Sequence, residues 1–178
     1  MNSQIIEKSE NGVLIPLEAK LITNRVIVLS EDIFDIASDV YSSLMYLDSV
    51  SHDRISIYIN SRGGDCTEMF GICDMIENIK SPVDTYCFGQ ASSAAFIIFL
   101  MGENRYVSKN SKFLLHKCSG GSWGNKEDIQ ISADEAKIVD KGMLDIVRKK
   151  TLIKKLPEHD RWIHPEEALK LNIVTQIV

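Results

Sequence analysis

Residues 94–101 (AAFIIFLM) contain no polar side chain. A helix that is apolar on every face has to be enclosed by other elements, so any fold of this chain must wrap its layers around that segment. The run is far shorter than the roughly 20 residues a helix needs to cross a bilayer, which makes it a buried core helix and not a membrane span. With 178 residues, 44% of them hydrophobic, the chain can surround such a core. We read 1–178 as a single domain.

The flanking segments supply the layers. Arg25–Leu29 (RVIVL), Ile55–Ile59 (ISIYI) and Val83–Phe88 are rich in β-branched and aromatic residues and read as strands. After the first of these, Ser30 offers an N-cap and Glu31 and Asp32 suit the first turn of a helix. Ile33, Ile36, Ala37, Val40, Tyr41 and Leu44 then recur at helical spacing. A second stripe, Met69, Ile72, Cys73, Ile76 and Ile79, is stopped by Ser81-Pro82. Gly89–Ser93 reads as a sharp turn into the apolar helix, Tyr106–Val107 and Phe113–Leu115 as short strands, and 127–150 as a long polar helix. Pro165 opens a short helix and Ile173–Val178 closes the chain as a strand. Strands alternating with helices predict an α/β domain with mostly parallel pairing. Residues 1–20 carry little pattern beyond Ile5, Ile6 and Val13–Pro16 and are read as a flexible N-terminal segment.

Charge and cysteine usage narrow the function. A net charge of −5 argues against a nucleic-acid partner, which needs a clustered basic face. The basic group Lys149, Lys150, Lys154 and Lys155 runs into Glu158 and Asp160 and reads as a solvated helix end. Cys66, Cys73, Cys87 and Cys118 lack metal-knuckle or redox-motif spacing, so neither metal nor cofactor is expected. No charged n-region with an apolar run is visible at the start, and reduced thiols suit a cytoplasmic setting with no membrane partner.

Four features carry possible chemistry. Ser93, where a strand turns into a buried helix, would sit beside free N–H groups and the positive end of the helix dipole. Taken alone, such a serine is more often a plain helix cap. Asn60-Ser61-Arg62-Gly63-Gly64 could form a nest of N–H donors or a simple turn. His116, leaving a strand, could be a general base or a satisfied core residue. Asp160 could orient that histidine or be one more acidic loop residue. A serine hydroxyl is a weak nucleophile near neutral pH, so a hydrolase needs base, orienting acid and oxyanion donors together. The chain offers one candidate for each, although spacing does not bring them together in space.

In order along the chain, RVIVL (25–29), YINSRGGD (58–65), FGQASSAA (88–95), KFLLH (112–116), GGSWGNKEDIQISADE (120–135) and HDRWIHPEEALKLNIV (159–174) resemble the proteolytic subunits of the caseinolytic (Clp) proteases, from about Ile5 to the C-terminus. The resemblance implies a serine endopeptidase with Ser93 as nucleophile, His116 as base and Asp160 as third triad member, and with the N–H groups of Gly64 and Ala94 as oxyanion hole. It implies an α/β crotonase-like fold of repeated ββα units with a protruding handle, helix plus strand, over 119–151. It also implies heptameric rings stacked in pairs around a closed chamber. Residues 118–124 would then include the strand that pairs with unfolded polypeptide substrates, and 1–20 would line the axial pore. An AAA+ unfoldase partner would dock on the ring, and ATP would be used by that partner and not by this chain.

Several positions depart from the family pattern. Arg62 stands for a proline, Lys117-Cys118 for Gln-Pro, Ser92 for alanine, Ala94 and Ala95 for Met and Gly, and His159 for an arginine that couples ring contact to triad alignment. The stretch from His116 to Asp160 is several residues shorter than is typical. These departures leave room for a catalytically silent structural ring subunit paired with an active paralogue. A crotonase-type acyl-CoA enzyme is the third reading, although that chemistry normally lacks the serine, histidine and aspartate set.

Overall fold

A computed structural model describes residues 5–8, 12, 14–34 and 36–178. The chain starts with an antiparallel pair, β1 (Ile5–Lys8) and β2 (Leu14–Pro16), followed by a helix, α1 (Leu17–Thr23). Both fall within or overlap the stretch read as patternless. No residue of α1 is buried, which is why no apolar stripe announces it. Then come β3 (Val26–Leu29), α2 (Ala37–Val50), β4 (Ile55–Ser61), α3 (Cys66–Asn78), β5 (Val83–Ser92) and α4 (Ala94–Leu100). The C-terminal part holds β6 (Arg105–Val107), β7 (Lys112–Leu115), α5 (Lys126–Lys150), β8 (Arg161–Ile163), α6 (Pro165–Lys170) and β9 (Gln176–Ile177).

Five of the seven strands of the main sheet run in the order β3-β4-β5-β6-β9, all neighbours parallel as the strand and helix alternation predicts, while β7 pairs parallel with the far end of β5 and antiparallel with β8. Every residue of α4 is buried, and the helix packs against β4, β5, β7, α3 and α5. The apolar run therefore ends up enclosed on all sides, as its composition demands. Arg105, itself buried, donates to the carbonyls of Gly102, Asn172 and Ile173, fastening the C-terminal segment beside α4.

Two local expectations are corrected. The helix expected to follow Ser30 begins only at Ala37, because the Ile33 backbone is committed elsewhere. Its N–H donates to the Gly63 carbonyl (2.8 Å) and its carbonyl accepts from Asp65 N–H (3.1 Å), forming a one-residue parallel bridge to Gly64. The expected turn over Gly89–Ser93 is mostly strand: β5 runs to Ser92 with a kink at Gly89 (φ +99°). Across the kink the strand changes partners, Thr85–Cys87 pairing with β6 and Gln90–Ser92 with β7. Asn60 fills the irregularity by accepting from Gln90 N–H (3.2 Å), and a side chain at 89 would collide with it.

The handle is helix without strand. The capping box of Asn125 and Asp128 starts α5, with Glu127 in the first turn and Arg148, Lys149 and Lys150 in the last. Residues 118–124, expected to include a strand, pair with nothing in the sheet among the described residues. Their polar groups instead lean on α5: Cys118 N–H donates to Asp140 (2.6 Å) and Ser122 Oγ to Ser132 Oγ (2.8 Å). A strand needs an edge to pair with, and a lone chain offers this segment none.

Candidate active site

The strand β5 delivers Ser93 to the head of α4 with φ 55° and ψ −124°, a backbone shape that side-chain-bearing residues rarely adopt. Such a conformation costs on the order of 1–3 kcal/mol and persists only where the surroundings fix it. Here Ser93 N–H donates to the Leu114 carbonyl (2.9 Å) and the Ser93 carbonyl accepts from Phe96 N–H (3.0 Å). The Ser93 side chain makes no capping bond to the helix. The hydroxyl is half-buried and uncommitted, so the helix-cap reading does not describe it.

Gly63 lies directly against this turn. A Cβ at 63 would sit 2.6 Å from the Ser92 carbonyl oxygen, 2.8 Å from Ser93 Cβ and 3.0 Å from the Ala94 nitrogen. Only a glycine allows that approach, and its φ of +106° demands one as well. The bridge to Ile33 uses the Gly63 carbonyl and the Asp65 N–H, so the Gly64 N–H points to the other side. Ala94, as the first residue of its helix, has no intrahelical acceptor for its N–H. Among the described residues neither of these two N–H groups has a hydrogen-bond acceptor. The loop lacks a proline at 62, but Ser61 restrains it by donating to the Glu31 carbonyl (2.7 Å) and accepting from Gly63 N–H (3.1 Å).

His116 and Asp160 lie at the same end of two neighbouring strands. β7 and β8 are antiparallel with Leu115 opposite Arg161, so the next step outward sets His116 across from Asp160. On the other side of β7, Ser92 pairs with Leu114, which brings Ser93 to the same end of the sheet. Three adjacent strands thus terminate in the three expected residues. Among the described residues, none of the three side chains is hydrogen-bonded to another. His116 Nδ1 lies 2.5 Å from the Lys117 carbonyl. A carbonyl can only accept, so this bond requires the proton on Nδ1, which in the neutral ring puts the lone pair on Nε2. Among the described residues the exposed Asp160 has neither hydrogen bond nor ion pair.

Sequence reading missed one ion pair beside this site. Lys117 and Glu158 form an ion pair (2.8 Å) that joins the ends of β7 and β8 beside His116 and Asp160. That bond lifts the Lys117 ammonium above its ordinary range and lowers the Glu158 carboxyl. Opposite charges flanking the two expected residues were the available signal. Ser92 Oγ is buried without a partner, so this second hydroxyl is sealed off from the surface.

The family model of the Clp protease matches residues 9–178. Two proteins of Frankia casuarinae are similar along nearly the whole length. One, an ATP-dependent Clp protease proteolytic subunit 3, is 32% identical, covering 98% of this chain and 86% of the relative. The other, an ATP-dependent Clp protease proteolytic subunit 2, is 33% identical, covering 98% and 85%. The chain belongs to the Clp protease family. The parallel sheet wrapped around α4 is the Clp protease fold that the motif order implies. Among the described residues, no helix is long and apolar enough to cross a membrane.

Proposed function

We propose that this chain is a serine endopeptidase subunit that hydrolyses peptide bonds of unfolded proteins. The observation that carries the reading is the uncommitted Ser93 hydroxyl, held on a strained turn beside two N–H groups that lack acceptors. In the reaction, His116 Nε2 takes the Ser93 proton as Oγ attacks the scissile carbonyl, and the N–H groups of Gly64 and Ala94 meet the oxyanion. Asp160 stabilises the imidazolium once His116 Nδ1 exchanges the Lys117 carbonyl for its carboxylate. That exchange is local, because the register already sets residues 116 and 160 across from each other.

Family membership and the similar ATP-dependent subunits support a ring assembly served by an ATP-driven AAA+ unfoldase. Exposed Val28, Tyr58 and Phe88 give the outer sheet face an apolar surface that suits such a partner. Unpaired Cys66, Cys73, Cys87 and Cys118 suit a reducing, cytoplasmic setting.

The detached Asp160 favours one second reading, a silent ring subunit that relies on an active paralogue. Hydrolysis of a short fluorogenic peptide by the purified protein separates the two. The peptidase reading expects turnover that Ser93→Ala lowers by more than about 100-fold, as for loss of a triad nucleophile. Turnover unchanged in Ser93→Ala would overturn the site assignment, and no turnover by the assembled wild type would favour the silent subunit.

A further inference from the structure

Arg25, Arg54, Arg105, Arg148 and Arg161 each donate to a carbonyl or carboxylate of the protein. The one remaining arginine of the sequence, Arg62, is exposed and has no acceptor among the described residues. It lines a cleft of about 510 Å³ together with Glu31, Asp32, Asn60, Ser61 and Gln90. A guanidinium is a planar fork of N–H donors that matches a carboxylate, and here no group of the protein occupies it.

The cleft is built onto the candidate site. Arg62 adjoins Gly63, whose missing side chain makes room for Ser93. Both chain neighbours of Arg62 are fastened: Ser61 Oγ donates to the Glu31 carbonyl (2.7 Å), and the Gly63 carbonyl accepts from Ile33 N–H (2.8 Å). On the β5 side, Gln90 N–H donates to Asn60 Oδ1 (3.2 Å), and the strand delivers Ser93 three residues later. The backbone at 62 is thus fixed relative to Ser93 while its side chain is uncommitted. Adjacent Cα atoms lie about 3.8 Å apart and an extended peptide advances about 3.3 Å per residue, so Arg62 reaches substrate positions within about three residues of the bond at Ser93. Glu31 and Asp32 line the same cleft and form no ion pair with Arg62 among the described residues. These acids repel a bare anion but accept from backbone N–H groups, so the cleft suits a carboxylate carried on a peptide. On the peptidase reading above, we propose that Arg62 binds a carboxylate of the polypeptide being cleaved, either an Asp or Glu side chain or the C-terminal carboxylate, and directs hydrolysis to nearby bonds.

The experiment measures fluorescence polarisation of labelled peptides on assembled full-length protein carrying Ser93→Ala, which keeps the peptides intact. Three peptides share one sequence: a central Glu with an amidated end, a central Gln with an amidated end, and a central Gln with a free carboxylate end. At least one carboxylate peptide is expected to bind about fivefold more tightly than the neutral one, as an exposed bidentate pair allows. Preference for the first assigns the site to acidic side chains, and preference for the third to chain ends. Adding Arg62→Gln is expected to cut the preference below about twofold, whereas Lys109→Gln, which removes an exposed charge elsewhere, leaves it intact. Equal binding of all three peptides, or a preference that survives Arg62→Gln, would overturn the assignment. Hydrolysis of the same peptides by protein with Ser93 intact is expected to show the preference in KM, with kcat within about twofold. Selective binding without any hydrolysis would sink the peptidase reading and leave the carboxylate site standing. Hydrolysis without an Arg62-dependent preference would do the reverse.

Discussion

The backbone of Ser93 and the missing side chain of Gly63 are two halves of one packing arrangement. The positive φ of Ser93 aims its Cβ at the space that Gly63 vacates, and the Ala94 nitrogen lies at the same contact. Gly63→Ala is therefore expected to act on stability and activity together. Its Cβ overlaps the Ser92 carbonyl and Ser93 Cβ, and φ +106° is unfavourable for alanine, a combined cost of about 1–3 kcal/mol. Urea denaturation and peptide hydrolysis would check this; a variant with wild-type stability and rate would show that the contact does not hold the site. From sequence alone Ser93 could not be told from a helix cap, because the residue type suits both uses. What separates them is the direction of its side chain, and that depends on β7, which binds Ser93 through Leu114.

Elements whose signal is their own apolar periodicity were readable; elements fixed by a distant partner were not. The sequence shows α3 and α4 because their buried residues recur along the helix itself. The delayed start of α2 and the short β8 depend on pairing with Gly63-Gly64 and with β7, which are long-range contacts. The far end of α2 supplies a pH-dependent link of the same kind. Asp48 accepts from the N–H groups of Lys80 and Ser81 and from Ser81 Oγ, binding α2 to the loop before β5. Desolvation works against its ionisation, but the bonds from Ser81, His52 and Lys80 together hold the carboxyl below its ordinary range. A carboxyl depressed by folding stabilises above its unfolded pKa, and that contribution disappears as pH falls through the folded value. Asp48→Asn should thus melt below wild type at neutral pH, with the gap closing in acid. A melting-temperature difference that stays constant from neutral to acid would contradict this role.

At the scale of the whole molecule, the sheet brings the three proposed triad residues to one end, with none of their side chains hydrogen-bonded to another among the described residues. Ser93, His116 and Asp160 end three adjacent strands, yet among the described residues Asp160 has no partner and 118–124 has no strand to join. Family motifs made the fold legible in advance, while the state of the histidine was not, because it turns on a single carbonyl one residue away. Both open ends are of the sort that neighbouring subunits or a substrate strand would complete. The test closest to the central claim is treatment of the assembled protein with a fluorophosphonate probe, followed by intact and peptide mass spectrometry. The account predicts an adduct on Ser93 that disappears in Ser93→Ala and persists in Ser92→Ala. An adduct on Ser92, or none on Ser93 in a preparation that cleaves peptide, would contradict it.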